Sequence, residues 1–532
     1  MPAFFYEMNL LQTDTKRNRI AEGVFLSGII VFAIGLPLSV FLMSCGQLIA
    51  LIGWCIYPDY LKRIGQFLNN KVALSFVLIY VMHLIGMLWT TDINAGLKDL
   101  RIKFPLFILP FMFASFVPFN RRQFNLVLYF FIAAVLLSTL ISTAVWLGFT
   151  KKQITDIRQI SLFISHIRLG LFVCMAIFAS IYFIFFTELK LLYKVLLFAL
   201  IGWLICFLII LEAVTAMLIF AFIISAYGLF IFIKKKMYVL TGALLITIAC
   251  TLFYFGNFGL KMYRSMTVAN PVNIEQLEKK TKYGHQYFHH FDAKYLENGN
   301  CNSVYFCFEE MQQAWPKRSS MELTGSDKKG NKLFLTLTRY LTSKGLRKDY
   351  DGVMALTDAD VRNVENGIPS INRVQYGKLR GRIYEIVWEL NNSRNTGEAS
   401  GSSLSQRFLY WKASVAIINS NKLYGVGTGD NQNEFNAYYD SVKSTLTKEW
   451  RLRSHNQYLA IGVSFGFTGM FIFLVLLFYP ITIRKFRNDF LYSTFFVAMI
   501  LSFINEDTME TQAGISFVMF FSTLYLVRNS EK

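Results

Sequence analysis

Long apolar runs separated by short charged turns dominate this chain. A helix that crosses a bilayer needs about 20 such residues at a rise of 1.5 Å each. Gly23 to Tyr57 is too long for one helix and fits two, turning near Ser44-Cys45-Gly46. Further candidates are 72–89, 103–118, 124–148, 166–187, 192–210, 213–233 and 238–256, with the hairpin near 211–213 the least sharply marked. After a long polar stretch come 457–480, 489–504 and 513–527. The pattern predicts an all-α polytopic membrane protein of about twelve spans. Its parts are an N-terminal membrane domain over 1–256 (about nine helices), a polar domain over 257–455 and C-terminal membrane helices over 456–532 (about three).

The polar stretch is too long for a connection, which is usually about four to six residues. Within it, Tyr376, Leu379, Ile383, Ile386 and Leu390 recur at helical spacing. Leu404, Phe408, Trp411, Val415 and Ile418 do the same, with Ser403 placed to cap that helix. Asn391 to Ser403, rich in Asn, Ser and Gly, reads as the loop between them. Residues 265–350 show no strong period, and no internal repeat is present. The domain is expected to be mainly helical.

Composition agrees with lipid as the solvent. Of 532 residues, 54% are hydrophobic and only 16% charged, whereas soluble domains run near a quarter charged. The net charge of +19 would suggest nucleic acid in a soluble protein, but no basic stripe is interleaved with exposed aromatics. No nucleic-acid partner is expected. The basic residues instead orient the helices. With the N-terminus inside, the inner loops hold Lys62 and Arg63, Arg121 and Arg122, Lys190 and Lys194, Lys234 to Lys236, and Arg484, Lys485 and Arg487. The C-terminus then ends inside with Arg528 and Lys532, and the acidic turn Glu506 to Glu510 faces outward. Both termini are thus cytoplasmic, and residues 257–455 lie outside the cytoplasmic membrane, in the periplasm. Met1 to Ala21 is polar and lacks a cleavage site, so the first apolar run reads as a signal anchor. Five cysteines lie in apolar runs; Cys301 and Cys307, in the polar domain, could be bonded or be two free thiols. No second pair stands at zinc-ligand spacing.

No ATP-binding Gly-Lys loop, HExxH or GxSxG motif is present. An extracytoplasmic enzyme has no nucleotide pool, so its donor must arrive already activated, most simply on a membrane lipid. A lipid diphosphate needs cations to bind it and to stabilise it as it leaves. The acceptor hydroxyl needs a base. Arg407 stands at the edge of the apolar stripe of its helix, and His455 immediately precedes a span. Pattern alone equally allows a snorkelling or salt-bridged arginine and an interfacial, helix-capping histidine. Gly425-Val-Gly-Thr-Gly429 lacks the P-loop lysine and reads as a tight turn. His166 and Arg168 open another span on the outer side, where a charge is costly unless paired or facing a cavity. Glu506, Asp507 and Glu510 form the acidic turn, and pairing with the arginines is the favoured reading. Glu506 and Glu510 would share a face if that turn were helical.

Three stretches, in order, resemble the O-antigen ligase and polymerase superfamily of bacterial membrane glycosyltransferases. They are Arg407-Phe-Leu-Tyr-Trp-Lys-Ala-Ser, Leu423-Tyr-Gly-Val-Gly-Thr-Gly-Asp430 and His455-Asn-Gln-Tyr-Leu-Ala, continued by Gly466-Phe-Thr-Gly-Met-Phe-Ile-Phe-Leu474. Glu506-Asp-Thr-Met-Glu-Thr-Gln-Ala-Gly514 is similar to versions found in Bacteroidetes-type bacteria. The resemblance implies a GT-C-like enzyme of the inner membrane that needs no metal or other cofactor. It implies inverting transfer from an undecaprenyl diphosphate-linked glycan donor to an acceptor hydroxyl, such as that of lipid A-core. By the same resemblance Arg407 is the diphosphate ligand and His455 the base, with Asn456 beside it. His166, Arg168, Glu506, Asp507 and Glu510 complete the expected substrate-binding set. One departure stands out. Many ligases place an arginine where this chain has Leu211-Glu-Ala-Val-Thr215, so that Val214 occupies its position; either Arg168 or another cation replaces it, or this protein handles the donor differently.

A ligase that joins finished polymer to lipid A-core is the first expectation. A Wzy-type polymerase uses the same donor and shares the motifs, and some relatives glycosylate proteins instead. A transporter or flippase would place polar residues deep in several spans and would not need a large outer domain. The spans here are nearly free of charge, with Glu212 an exception at an outer end.

Overall fold

The computed structural model describes residues 2–150, 154, 156–396 and 403–526. Eleven helices precede the polar domain: α1 (Pro2–Leu38), α2 (Val40–Ile56), α3 (Tyr60–Asn69), α4 (Lys71–Ile85), α5 (Ile93–Lys103), α6 (Pro105–Ala114), α7 (Arg121–Trp146), α8 (His166–Phe186), α9 (Leu191–Ile210), α10 (Val214–Lys234) and α11 (Tyr238–Thr267). The polar domain contributes α12 (Phe308–Ala314), α13 (Leu333–Ser343), α14 (Tyr350–Met354), α15 (Asp358–Glu365), α16 (Ile371–Gln375), α17 (Gly377–Thr396), α18 (Ser403–Ser420) and α19 (Asn431–Ser441). Four helices close the chain: α20 (Gln457–Thr482), α21 (Arg484–Arg487), α22 (Phe490–Asn505) and α23 (Gln512–Leu524). Among the described residues the only named strands are Leu296–Glu297 and Asn300–Cys301, which pair antiparallel. The fold is all-α and polytopic.

Among the described residues, eight helices are long and apolar enough to cross a membrane, and α2, α22 and α23 are shorter apolar helices. The expected span at 103–118 differs. Pro105 cannot donate to a helix running through it, so the chain breaks into α5 and the ten-residue α6, about half a bilayer long. The first hairpin also turns earlier than expected. Pro37 ends α1 and the Ser39 hydroxyl caps α2 by accepting from Leu42 N, so the turn lies at Leu38–Ser39. Gly46 is instead a contact point inside α2: a Cβ there would lie 2.4 Å from the Phe32 nitrogen. Gly28, Gly35 and Gly53 meet the facing helix as closely, so the two backbones pack against each other directly. The hairpin at 211–213 is present, with Glu212 left-handed at φ 53°.

The membrane core is centred on α8, buried almost continuously from Leu169 to Ile184, with α7, α22 and α23 around it. By contrast, no part of the apolar window of α11 is buried against protein. This helix runs unbroken from the apolar region into the polar domain, passing the boundary expected at 256. There Met262 and Met266 pack against Tyr384 of α17. The domain has one core around Trp315, Leu337 and Tyr340 and another around Tyr410, Ile417 and Tyr439, which also takes in Val463 of α20. The two helices expected near 376–390 and 404–418 are α17 and α18. α17 continues through Thr396, so the first part of the expected loop is helical; the rest of it, like Arg528 and Lys532, lies outside the described residues, as does the Ser403 side chain. Cys301 and Cys307 are free and buried.

Candidate active site

A cavity of about 2500 Å³ lies where the polar domain meets the start of α8, the start of α10 and the end of α22. Its lower part is a cleft between α10 and α11. Leu218, Phe222 and Leu229 line one wall, and Leu244, Ile248 and Leu252 the other. Its upper part is polar and is lined by His166, Arg168, Arg407, His455 and Glu506 from four separate segments. A greasy cleft therefore opens directly into a charged chamber.

Local structure places each group. Ser165 caps α8, which starts at His166, and puts Arg168 in the first turn. Arg407 lies in the first two turns of α18. His455 has a left-handed backbone at φ 44°, uncommon for a residue with a side chain. Asn456 then caps α20 through Leu459 N and donates to the Ile504 carbonyl at 2.8 Å, so its amide serves the backbone. The His455 ring stacks on Tyr410, with centroids 5.6 Å apart.

Glu506 joins the two leading candidates. Its carboxylate accepts from Arg407 Nη2 at 2.8 Å and stands 3.6 Å from His455 Nδ1, with Asp507 at 3.9 Å. Burial alone would depress the His455 pKa, but the Glu506 and Asp507 carboxylates outweigh it and raise it. Burial would likewise raise Glu506, yet His455 and Arg407 hold it below the usual carboxylate value. Asp507 is raised, burial being the main cause. His455, Glu506 and Asp507 each offer one ligand atom, and these lie within 4.8 Å of one another, close enough to hold a metal ion. Arg407 already supplies a cation to that group.

Arg168 is placed differently. Among the described residues it has no carboxylate within 4 Å, and its only side-chain bond is a long one, 3.4 Å to Ser165 Oγ. Its Nε is buried without a partner, as are Arg407 Nε and His455 Nδ1 on the same cavity wall. A chamber holding a guanidinium in no direct ion pair, with buried N–H groups that lack a bond, suits an anionic, hydroxyl-bearing ligand.

Some expected residues stand elsewhere. The acidic turn is not an α-helix: Glu506 is extended and only Thr508–Glu510 forms a 3-10 turn, so Glu506 and Glu510 share no face. Asn456, Asp507 and Glu510 do not line the cavity. Glu510 is turned away into a buried cluster with Lys103. The turn Gly425–Gly429 is a docking element, with Val426 N and Gly427 N bonded to the carbonyls of Val463 and Ser464. Thr428 Oγ1 donates to the His83 carbonyl, and Asp430 accepts from the nitrogens of Thr91 and Asp92.

Sequence reading missed Arg158, Arg373 and Arg382, which also line the cavity. Arg158 pairs with Asp156, and Arg382 with Glu385. Arg373 binds Glu212 at 2.9 Å and also Glu385. A signal did exist, because a lone glutamate at the end of a span calls for a cation. It could not say which one. Val214, the position without its expected arginine, lines the same cavity as Arg168 of α8 and these arginines of the polar domain.

Residues 364–474, from α15 through most of α20, match the family model described as O-antigen ligase. No curated protein matches the chain.

Proposed function

We propose, from the match of residues 364–474 to the family model described as O-antigen ligase, an O-antigen ligase-type glycosyltransferase that works at the periplasmic face of the inner membrane. The donor is an undecaprenyl diphosphate-linked glycan, and the acceptor is a hydroxyl of lipid A-core. The observation that carries this reading is the continuity of the α10–α11 cleft with the chamber of Arg168, Arg407 and His455. The polyprenyl chain occupies the cleft, where apolar burial is worth about 0.8 kcal/mol per methylene. Its diphosphate meets Arg168, which has no carboxylate within 4 Å among the described residues, and the N–H groups of Arg407 not given to Glu506.

His455 acts as the base. With Nδ1–H turned to Glu506, its Nε2 takes the proton of the acceptor hydroxyl. The acceptor oxygen forms a bond to the anomeric carbon while the bond from that carbon to the phosphate oxygen breaks, with inversion. Undecaprenyl diphosphate leaves carrying the electron pair, and the arginines stabilise the charge that develops on it. Glu506 and Asp507 stabilise the imidazolium that results. No metal enters these steps.

A Wzy-type polymerase would use the same site with a lipid-linked glycan as acceptor. Deleting the gene separates the two on a gel of surface lipopolysaccharide. Loss of the ladder with accumulation of lipid-linked polymer is the ligase result; a core that carries a single repeat is the polymerase result. Unchanged glycans would defeat both readings. Arg407→Ala and His455→Ala should each abolish transfer, on the order of a 100-fold or greater loss, with the protein still in the membrane. Full activity in both variants would remove these residues from the mechanism.

A further inference from the structure

Behind the cavity lies a buried chain of polar groups that the transfer reaction does not use. Lys103, at the end of α5, is 1% exposed, and its ammonium contacts Asp99 at 2.5 Å and Glu510 at 2.6 Å. Glu510 in turn accepts from Gln457 Nε2 at 3.0 Å and stands 3.7 Å from Arg453 Nη1. The other end of the Gln457 amide accepts from Met509 N at 2.7 Å. None of Lys103, Gln457 and Glu510 lines the cavity.

The spacing gives this chain its meaning. Arg453 and Gln457 flank His455 by two residues on each side, and both are fastened to Glu510. Met509 and Glu510 belong to the same turn as Glu506 and Asp507, the acids that face His455. The histidine itself has a left-handed backbone that its own side chain does not favour. A strained residue persists only when its surroundings determine it, and here both neighbours are tied down by one carboxylate.

We propose that Lys103, Glu510 and Gln457 form a brace that positions His455 against Glu506. Lys103 neutralises and holds Glu510; Glu510 and the Met509 nitrogen hold both ends of the Gln457 amide; Gln457 and Arg453 fix the segment that presents the imidazole. These are positioning residues, since none touches the chamber. The inference rests on His455 being the base of the proposed transfer, but the brace itself is a claim about where the ring sits.

Two readouts on the full-length protein in membranes test it, using Gln457→Leu, Lys103→Met and the conservative Lys103→Arg. The first is transfer kinetics. Both disruptive variants should lose about tenfold or more in kcat, with the donor KM held within about twofold, because small misplacement of a reacting group is costly. Lys103→Arg should recover most of the rate. The second is the rate at which diethyl pyrocarbonate modifies His455, followed by peptide mass spectrometry, with His285 of the polar domain as internal control. A several-fold change at His455 with His285 unchanged is expected. If Lys103→Met does not accumulate, Gln457→Leu decides. Unchanged His455 reactivity, or absence of Gln457→Leu from the membrane, overturns the brace. If reactivity changes as expected while His455→Ala remains fully active, the brace stands and the base assignment fails.

Discussion

At the scale of single residues, the chamber is governed by which charges are answered. His455 faces two carboxylates that favour its protonated form, so its pKa is raised above the ordinary imidazole value of about 6.5. A base works only when unprotonated. The rate should therefore climb with pH through a limb lying above about pH 6.5. Glu506→Gln removes the carboxylate that favours the imidazolium, so it should move that limb toward lower pH; a limb that stays in place would show that Glu506 does not tune the histidine. Arg168→Ala should weaken donor binding by about tenfold or more, read as donor KM, because it removes the cation without a carboxylate neighbour. Arg407 and His455 could be singled out in the sequence because each stands in a patterned segment. Arg158, Arg373 and Arg382 could not, since they sit in charge-rich stretches where one arginine looks like the next. Only the fold brings them to a common wall.

At the scale of elements, periodicity was a good guide wherever one face of a helix is apolar, as in α17 and α18, and wherever a run is long, as in α7 or α8. It failed where backbone chemistry decides. Pro105 starts a fresh helix near the beginning of one expected span, which holds only the ten-residue α6, and Ser39 rather than Gly46 marks the first turn, because a small residue can mean either a bend or a close approach. Gly46 belongs to the second case. Gly46→Leu should force α2 away from the Phe32 backbone and cost about 1–3 kcal/mol or more, visible as a lower midpoint in thermal unfolding of the purified protein. The equivalent change at Gly23, where an added Cβ meets nothing within 4 Å, should be nearly silent. Residues 265–350 lacked any period, and apart from α12 and α13 much of that region is short turns pinned by side chains, which leave no repeat to read.

At the scale of the molecule, the membrane bundle and the polar domain together line one large cavity. Arg373 of the polar domain pairs with Glu212, two residues before Val214 at the start of α10. α10 and α11 separate beneath this contact to form the apolar cleft. Ile248→Trp should fill that cleft, raising the KM for a long-chain polyprenyl donor by about tenfold while sparing a short-chain analogue. Equal effects on both donors would argue that the lipid lies elsewhere.

The ion pair between Arg407 and Glu506 has a further consequence for how such a protein changes over time. The arginine lies inside the segment that matches the O-antigen ligase family model, and the glutamate lies beyond its end. A recombination event that imported residues 364–474 alone would bring a new arginine and histidine to an old acid. The cassette would arrive without its counter-charge. Exchange of this module should therefore succeed only when the hairpin around Glu506 travels with it, and among descendants the two positions should drift as a pair.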